Sequence, residues 1–172
     1  MKTLKIFLVL LFTVKAYSQN RITNDYKILI DSSIVIKSNN LLKSYKELSV
    51  KNVNIENDKA LLNKSSQLNN DIYVIGEDYK SVVLNKIKSE IALKTLDIYD
   101  NKNKSLLKKG VYVWKIIPML KGDVLTITIL DARMTYKNKK YNFMNGGGST
   151  IVFQYSCEEK KWVLIKEEHT GI

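Results

Sequence analysis

The chain has 172 residues, 28 lysines and arginines against 17 aspartates and glutamates, and a single cysteine and a single histidine. One cysteine excludes an internal disulfide framework, and one histidine beside it excludes the clustered ligands of a zinc site, so no metal is expected. No cofactor-binding motif stands in the sequence either, so no cofactor is expected.

The N-terminus reads "MKTLKIFLVLLFTVKAYSQN". Lys2 and Lys5 form a basic segment, residues 6–14 are apolar, and Ala16 and Ser18 occupy the −3 and −1 positions of a cleavage site. The apolar run falls short of the roughly 20 residues that span a bilayer. Residues 1–18 are therefore expected to be an export signal. The mature protein, periplasmic or secreted, begins near Gln19 as a single domain, residues 19–172. Lys2, Lys5 and Lys15 leave with the signal, so 25 basic and 17 acidic residues remain, a net +8.

In "TNDYKILIDSSIVIKSNN" Thr23, Asn24 or Asp25 can cap a helix. Its apolar face holds Ile28, Leu29, Ile34, Val35 and Ile36, and Asn39 and Asn40 suit its end. The β-branched residues leave a strand over 33–37 as the alternative. A second short helix can start at Asn57 or Asp58 and include Ala60, Leu61 and Leu62. Residues 72–75 read as a strand closed by a turn at Gly76. Over 81–100 the pattern supports a helix through Val83, Leu84, Ile87 and Ile91, then a strand through Leu96 and Ile98.

The second half has a clearer rhythm. "GVYVWKIIPML" alternates, "LKGDVL" is a hairpin turn, and "VLTITILDARMTY" sets Leu125, Ile127 and Ile129 on one face. "KNKK" turns the chain into "YNFM". "NGGGS" is expected to be a further turn, because the strand "STIVFQYSC" follows it. A phosphate-cradling loop needs a helix N-terminus after the glycines and a Lys before the Ser, and neither is present. Cys157 alternates with Ile151, Phe153 and Tyr155, which predicts a buried thiol. "EEKK" then turns into "WVLIKEE".

Asp131 shares the parity of Leu125, Ile127 and Ile129, so a regular strand aims it at the core, where desolvation raises a carboxyl's pKa and equips it to shuttle protons. A bulge in "LDARM" would instead turn it outward, to solvent or a lysine partner. His169, three residues from the C-terminus, is expected to sit in a frayed tail, which argues against Ser–His or Cys–His catalysis. Aromatic residues concentrate in the strand half; Trp114, Tyr136 and Trp162 are the candidates for stacking on a sugar or peptide, against the plainer role of filling core. Only Arg21 and Arg133 are arginine, and arginine is the usual reader of phosphates and bases, so nucleic acid is a poor candidate partner.

The expected fold class is α+β, with helices from the N-terminal half packed on a curved antiparallel meander sheet; by analogy that order resembles cystatin-like and NTF2-like folds. The signal ending "YSQN", the Lys/Asn/Ile-rich body, "NGGGS", "YSCEEKKW" and the final "TGI" together resemble small uncharacterised exported proteins of Bacteroidota. The resemblance implies the bacterial envelope or exterior and no particular activity. The first functional expectation is a non-catalytic module binding an envelope protein or glycan. The alternatives are a small NTF2-like pocket enzyme pairing Asp131 with Tyr112 or Tyr136, and a lysine-rich surface binding an anionic polymer.

Overall fold

The structure, a computed structural model, describes residues 25–47, 70–84, 87 and 89–171. The expected signal and second helix lie outside these residues. A long helix, α1, covers residues 25–47. Strands β1 (Ile72–Ile75) and β2 (Leu93–Thr95) follow, then a single 3-10 turn (Asn101–Asn103) leading into the short helix α2 (Lys104–Lys109). Four long strands complete the chain: β3 (Val111–Lys121), β4 (Val124–Lys137), β5 (Lys140–Ser156) and β6 (Lys161–Gly171). They form one six-stranded sheet in the order β2-β1-β3-β4-β5-β6. The last four strands are an antiparallel meander, as expected, while β1 pairs in parallel with both β2 and β3. The fold is thus α+β and dominated by its sheet.

Helix α1 runs past Asn39 and Asn40, where the sequence suggested an end. Asparagine costs only a few tenths of a kcal/mol inside a helix, and Leu41 and Leu42 beyond it pack against the core. The buried stripe of α1 is Leu29, Ser33, Ile34, Lys37 and Ser38, at the four-residue spacing of one helical face. Its two serines need no distant partner. Ser33 Oγ donates to Leu29 O and Ser38 Oγ to Ile34 O, each at 2.8 Å. Lys37 has no such local solution.

The sheet is buried on both sides, by different groups. Leu29 and Ile34 share a core with Ile72, Trp114, Ile127, Ile129 and Phe153. A second core holds Ile75, Leu96, Ile98, Leu107, Val111 and Met134. Each such side chain contributes about 1.5–3 kcal/mol on burial. Strand β3 serves both cores, Val111 and Val113 on one side and Trp114 and Ile116 on the other. Along β4 the buried parity changes: Leu125, Ile127, Ile129 and Asp131 are buried, then Met134. Asp131 is the last inward residue before the covered face switches.

Three expectations are corrected here. The glycine run is not a turn, because residues 146–148 lie inside β5. Asp131 pairs with Gly147 but Ala132 pairs with Asn145, so Gly146 is the extra residue of a bulge. Gly147 takes φ +101°, and a Cβ on Gly148 would stand 2.7 Å from the backbone oxygen of Ile129. The glycines therefore let β5 bend and press against β4. Cys157 is exposed, since β5 ends at Ser156 and the alternation stops before reaching it. Residues 82–84 have no regular structure where a helix was expected, and the strand that follows is residues 93–95 rather than Leu96 to Ile98. Helix α2 was not foreseen; it is held by the buried Leu107.

Candidate functional site

Where α1 crosses the sheet, four polar side chains from four elements meet. Lys37 of α1 donates to Asp131 Oδ2 of β4 at 2.9 Å and to Ser149 Oγ of β5 at 3.1 Å. Ser149 Oγ lies 2.8 Å from His169 Nδ1 of β6. Lys37, Asp131 and Ser149 are all buried, at 5, 9 and 4 % exposure, which makes this a polar cluster inside an apolar interface. The Lys37 ammonium also sits 5.1 Å from the centre of the buried Trp114 ring, whose face attracts a cation.

The proton positions follow from which groups can donate. A charged lysine only donates, so Ser149 accepts from Lys37 and turns its own hydroxyl proton to His169 Nδ1. In that arrangement, which uses the hydroxyl proton of Ser149, the neutral imidazole carries its proton on Nε2; the other tautomer would donate from Nδ1 to the second lone pair of Ser149 Oγ. Two buried atoms of this cluster then have no hydrogen-bond partner among the described residues: His169 Nε2, a donor in this arrangement, and Asp131 Oδ1, an acceptor.

Burial moves all three titrating groups toward neutrality. Desolvation pushes the Lys37 ammonium below its ordinary value, although Asp131 opposes the shift. It raises the Asp131 carboxyl, against the stabilising effect of Lys37. His169 is lowered mainly by burial, with Lys37 adding to the shift and Glu167 and Asp131 opposing it. A lowered imidazole leaves a mark on stability. Between its folded pKa and 6.5 the unfolded chain binds the extra proton, so this contribution is complete above 6.5 and lost as pH falls through that window. Asp131 acts with the opposite sign at lower pH: between 3.8 and its raised folded value, acidification favours the folded state. We expect the His169 ring to titrate below 6.5 by NMR. We expect His169→Gln to flatten the fall in urea midpoint between about pH 7 and pH 6. An imidazole titrating at or above its ordinary value would refute this.

The residues singled out from sequence are distributed unevenly around the cluster. Asp131 is in it, aimed inward as strand parity predicts, and the nearby bulge falls on β5 rather than on its own strand. Its bonded partner is Lys37, not Tyr112 or Tyr136. Trp114 is buried beside Lys37 at 1 % exposure. Tyr136 lies on the opposite side of the sheet, packed on the second core and against Tyr141, with ring centres 4.8 Å apart. Trp162 packs on the first core and meets Tyr155 edge to face at 5.5 Å. His169 is no frayed tail, because it pairs with Ser149 inside β6.

Lys37, Ser149 and His169 are the site residues that sequence reasoning missed. Two of them carried a signal. Lys37 stands four residues after Ser33 and eight after Leu29, on the apolar stripe, and Ser149 shares the inward parity of Ile151 and Phe153. His169 carried none, because a second bulge changes its face: Phe153 pairs with Leu164 but Val152 with Lys166, leaving Ile165 as the extra residue. Among the described residues no group of three or more His, Cys, Asp or Glu is placed to hold a metal ion. Comparison with protein-family models, curated proteins and solved structures finds no match for this chain.

Proposed function

We propose that this is an exported, non-catalytic binding module of cystatin-like or NTF2-like build, with the Lys37–Asp131–Ser149–His169 cluster as the polar floor of its ligand site. The observation that carries the reading is the unmet pair, the acceptor Asp131 Oδ1 and the donor His169 Nε2, in one buried network. A hydroxyl has the chemistry to meet either atom, donating to the carboxylate or accepting from the imidazole. Sugars present such groups without charge, which suits a site whose own charges are already balanced by the Lys37–Asp131 pair. The fold analogy is supported by α1 lying across a long antiparallel meander, and such a fold hosts many functions. Export rests on the basic, apolar and small-residue blocks of residues 1–18.

One observation favours the pocket-enzyme reading as second. Ser149 Oγ is bonded both to an imidazole nitrogen and to an ammonium, a continuous path for protons from Lys37 to His169. Binding remains the better reading because that oxygen is already engaged by two groups.

The test is an NMR titration with glucose, galactose and N-acetylglucosamine at millimolar concentration. Perturbations concentrated at Ser149 and the His169 ring, and absent from His169→Gln, are the expected result. Perturbations confined to other residues, or none with any of the three sugars, would sink the sugar-binding site. Hydrolysis of p-nitrophenyl acetate that disappears in Ser149→Ala would replace it with the enzymatic reading.

A further inference from the structure

Past Asp131, β4 presents a different chemistry to solvent. Arg133, one of two arginines in the chain, is exposed. With Lys108 and Lys109 from the last turn of α2, Lys137 from the end of β4, and Phe143 and Met144 from β5, it lines a groove of about 500 Å³. None of the lining residues is acidic. None of its four cations takes part in the ion pairs found among the described residues. One carboxylate, Asp71, lines the adjoining groove with Lys109 and Arg133, and it is paired with Lys94.

The register gathers more of the same character at this end of the sheet. Val111 pairs with Met134 and Met134 with Phe143, so the start of β3, the end of β4 and the start of β5 lie side by side. The β4–β5 turn beyond them has positive φ at both central residues, Asn138 (52°) and Lys139 (62°), the tight two-residue hairpin form. It holds the exposed Lys137, Lys139 and Lys140 close together. Met144, opposite Arg133, is 70 % exposed; Phe143, opposite Met134 on the other face of the strand and 5.3 Å from the Tyr79 ring between centres, is 42 % exposed. Gly110 leaves room for the arginine, since a Cβ there would stand 3.3 Å from Arg133 Nε.

We propose that this end of the sheet docks on an anionic membrane surface, the groove receiving lipid phosphate while Phe143 and Met144 enter the headgroup layer. Charge complementarity selects an anion, and cations near an anionic leaflet each add to the attraction. The exposed apolar side chains on the two faces of this strand, Met144 above all, select a lipid surface over a polysaccharide or nucleic acid. Exposed Met144 gains nothing from a hydrated polyanion and gains burial in a headgroup region. The site is separate from the polar cluster under α1 and does not depend on the function proposed for it.

Co-sedimentation of the full chain with vesicles tests the assignment. One set is phosphatidylcholine with one third phosphatidylglycerol, the other phosphatidylcholine alone; residues 1–18, themselves basic, are shared by every variant, so comparison between variants controls for them. Binding to the anionic set is expected to exceed that to the neutral set by about tenfold or more. Lys108→Gln with Lys109→Gln and Arg133→Gln should lower it several-fold towards the neutral level. Phe143→Ser with Met144→Ser should weaken it several-fold even in salt that screens the charges. Lys160→Gln with Lys161→Gln, at the opposite end of the sheet, should change nothing. Equal binding to both vesicle sets, or equal loss from the Lys160 and Lys161 variant, would overturn the proposal. Competition by millimolar inorganic phosphate would make the groove a small-anion site instead. Binding to a heparin column that ignores Phe143 and Met144, with none to vesicles, would assign the surface to a polyanion.

Discussion

Replacing Lys37 by Met should destabilise the protein by about 3–5 kcal/mol at neutral pH, the usual consequence of removing one partner from a buried ion pair. The ammonium holds Asp131 at 2.9 Å and Ser149 at 3.1 Å, and both partners are nearly fully buried. Without it the Asp131 carboxylate loses its counter-charge, and desolvation, already the dominant influence on it, acts unopposed by Lys37. The loss should carry a pH signature. With Lys37 gone, the folded pKa of Asp131 rises further, so the folded state of the variant takes up a proton that the unfolded chain releases at about 3.8. Stability of Lys37→Met relative to wild type should therefore improve as pH falls from neutral into that window. Urea unfolding at about pH 7.5 and about pH 5 measures it. An equal loss at both values would mean that Asp131 is not desolvated in the way the structure has it. The double variant Lys37→Met, Asp131→Leu should recover most of the loss, because two apolar groups need no compensation. The pair is thus expected to be expensive to break and replaceable for stability alone, which favours a role in function.

The second large effect is expected at Gly148. Alanine there would place its Cβ 2.7 Å from the backbone oxygen of Ile129, closer than real Cβ contacts allow. That neighbour is main chain in the middle of β4, paired on both sides, so it cannot swing away as a side chain would. The strands must part locally, at about 1–3 kcal/mol, the range for overpacking a filled interior. Since Ser149 follows directly, the same displacement should disturb its contact with His169, 2.8 Å in the native arrangement. Gly146→Ala is the control. Its Cβ would meet Asp131 at 3.5 Å, ordinary contact, and the change should cost much less. Urea midpoints of the two variants, with the His169 ring signals, check both parts. Equal stability of Gly146→Ala and Gly148→Ala would show that close approach is not what the glycine serves.

The clearest sequence signals came from period and turn chemistry. Alternation in residues 111–137 predicted two strands and offered the inward face of Asp131 as one of two alternatives, because a strand's side chains change sides at every residue unless a bulge intervenes. "LKGDVL" and "KNKK" named their turns because few residue types tolerate such backbone angles. The misreadings share a cause. "NGGGS" carries the composition of a turn, and only the facing backbone of β4 reveals that the glycines serve a bulge and a close contact inside a strand. Asn39 and Asn40 carry the composition of a helix end, and the core contacts of Leu41 and Leu42 override it.

By itself the sequence determined the α+β class and an antiparallel meander with turns at "LKGDVL" and "KNKK", and it left Asp131 open between core and solvent. The class, the meander and its turns depend on local periodicity and on backbone angles that neighbouring residues decide. Only the tertiary structure decided that Lys37, Ser149 and His169 would join Asp131, and that Arg133 and two lysines of α2 would share a groove with Phe143 and Met144. Lys37 and Asp131 are 94 residues apart, and the two bulges, at Gly146 and Ile165, each reset which face the following residues occupy. A bulge is set by how two strands fit, so the face of His169 is written in the pairing of β5 with β6 and not in either strand alone.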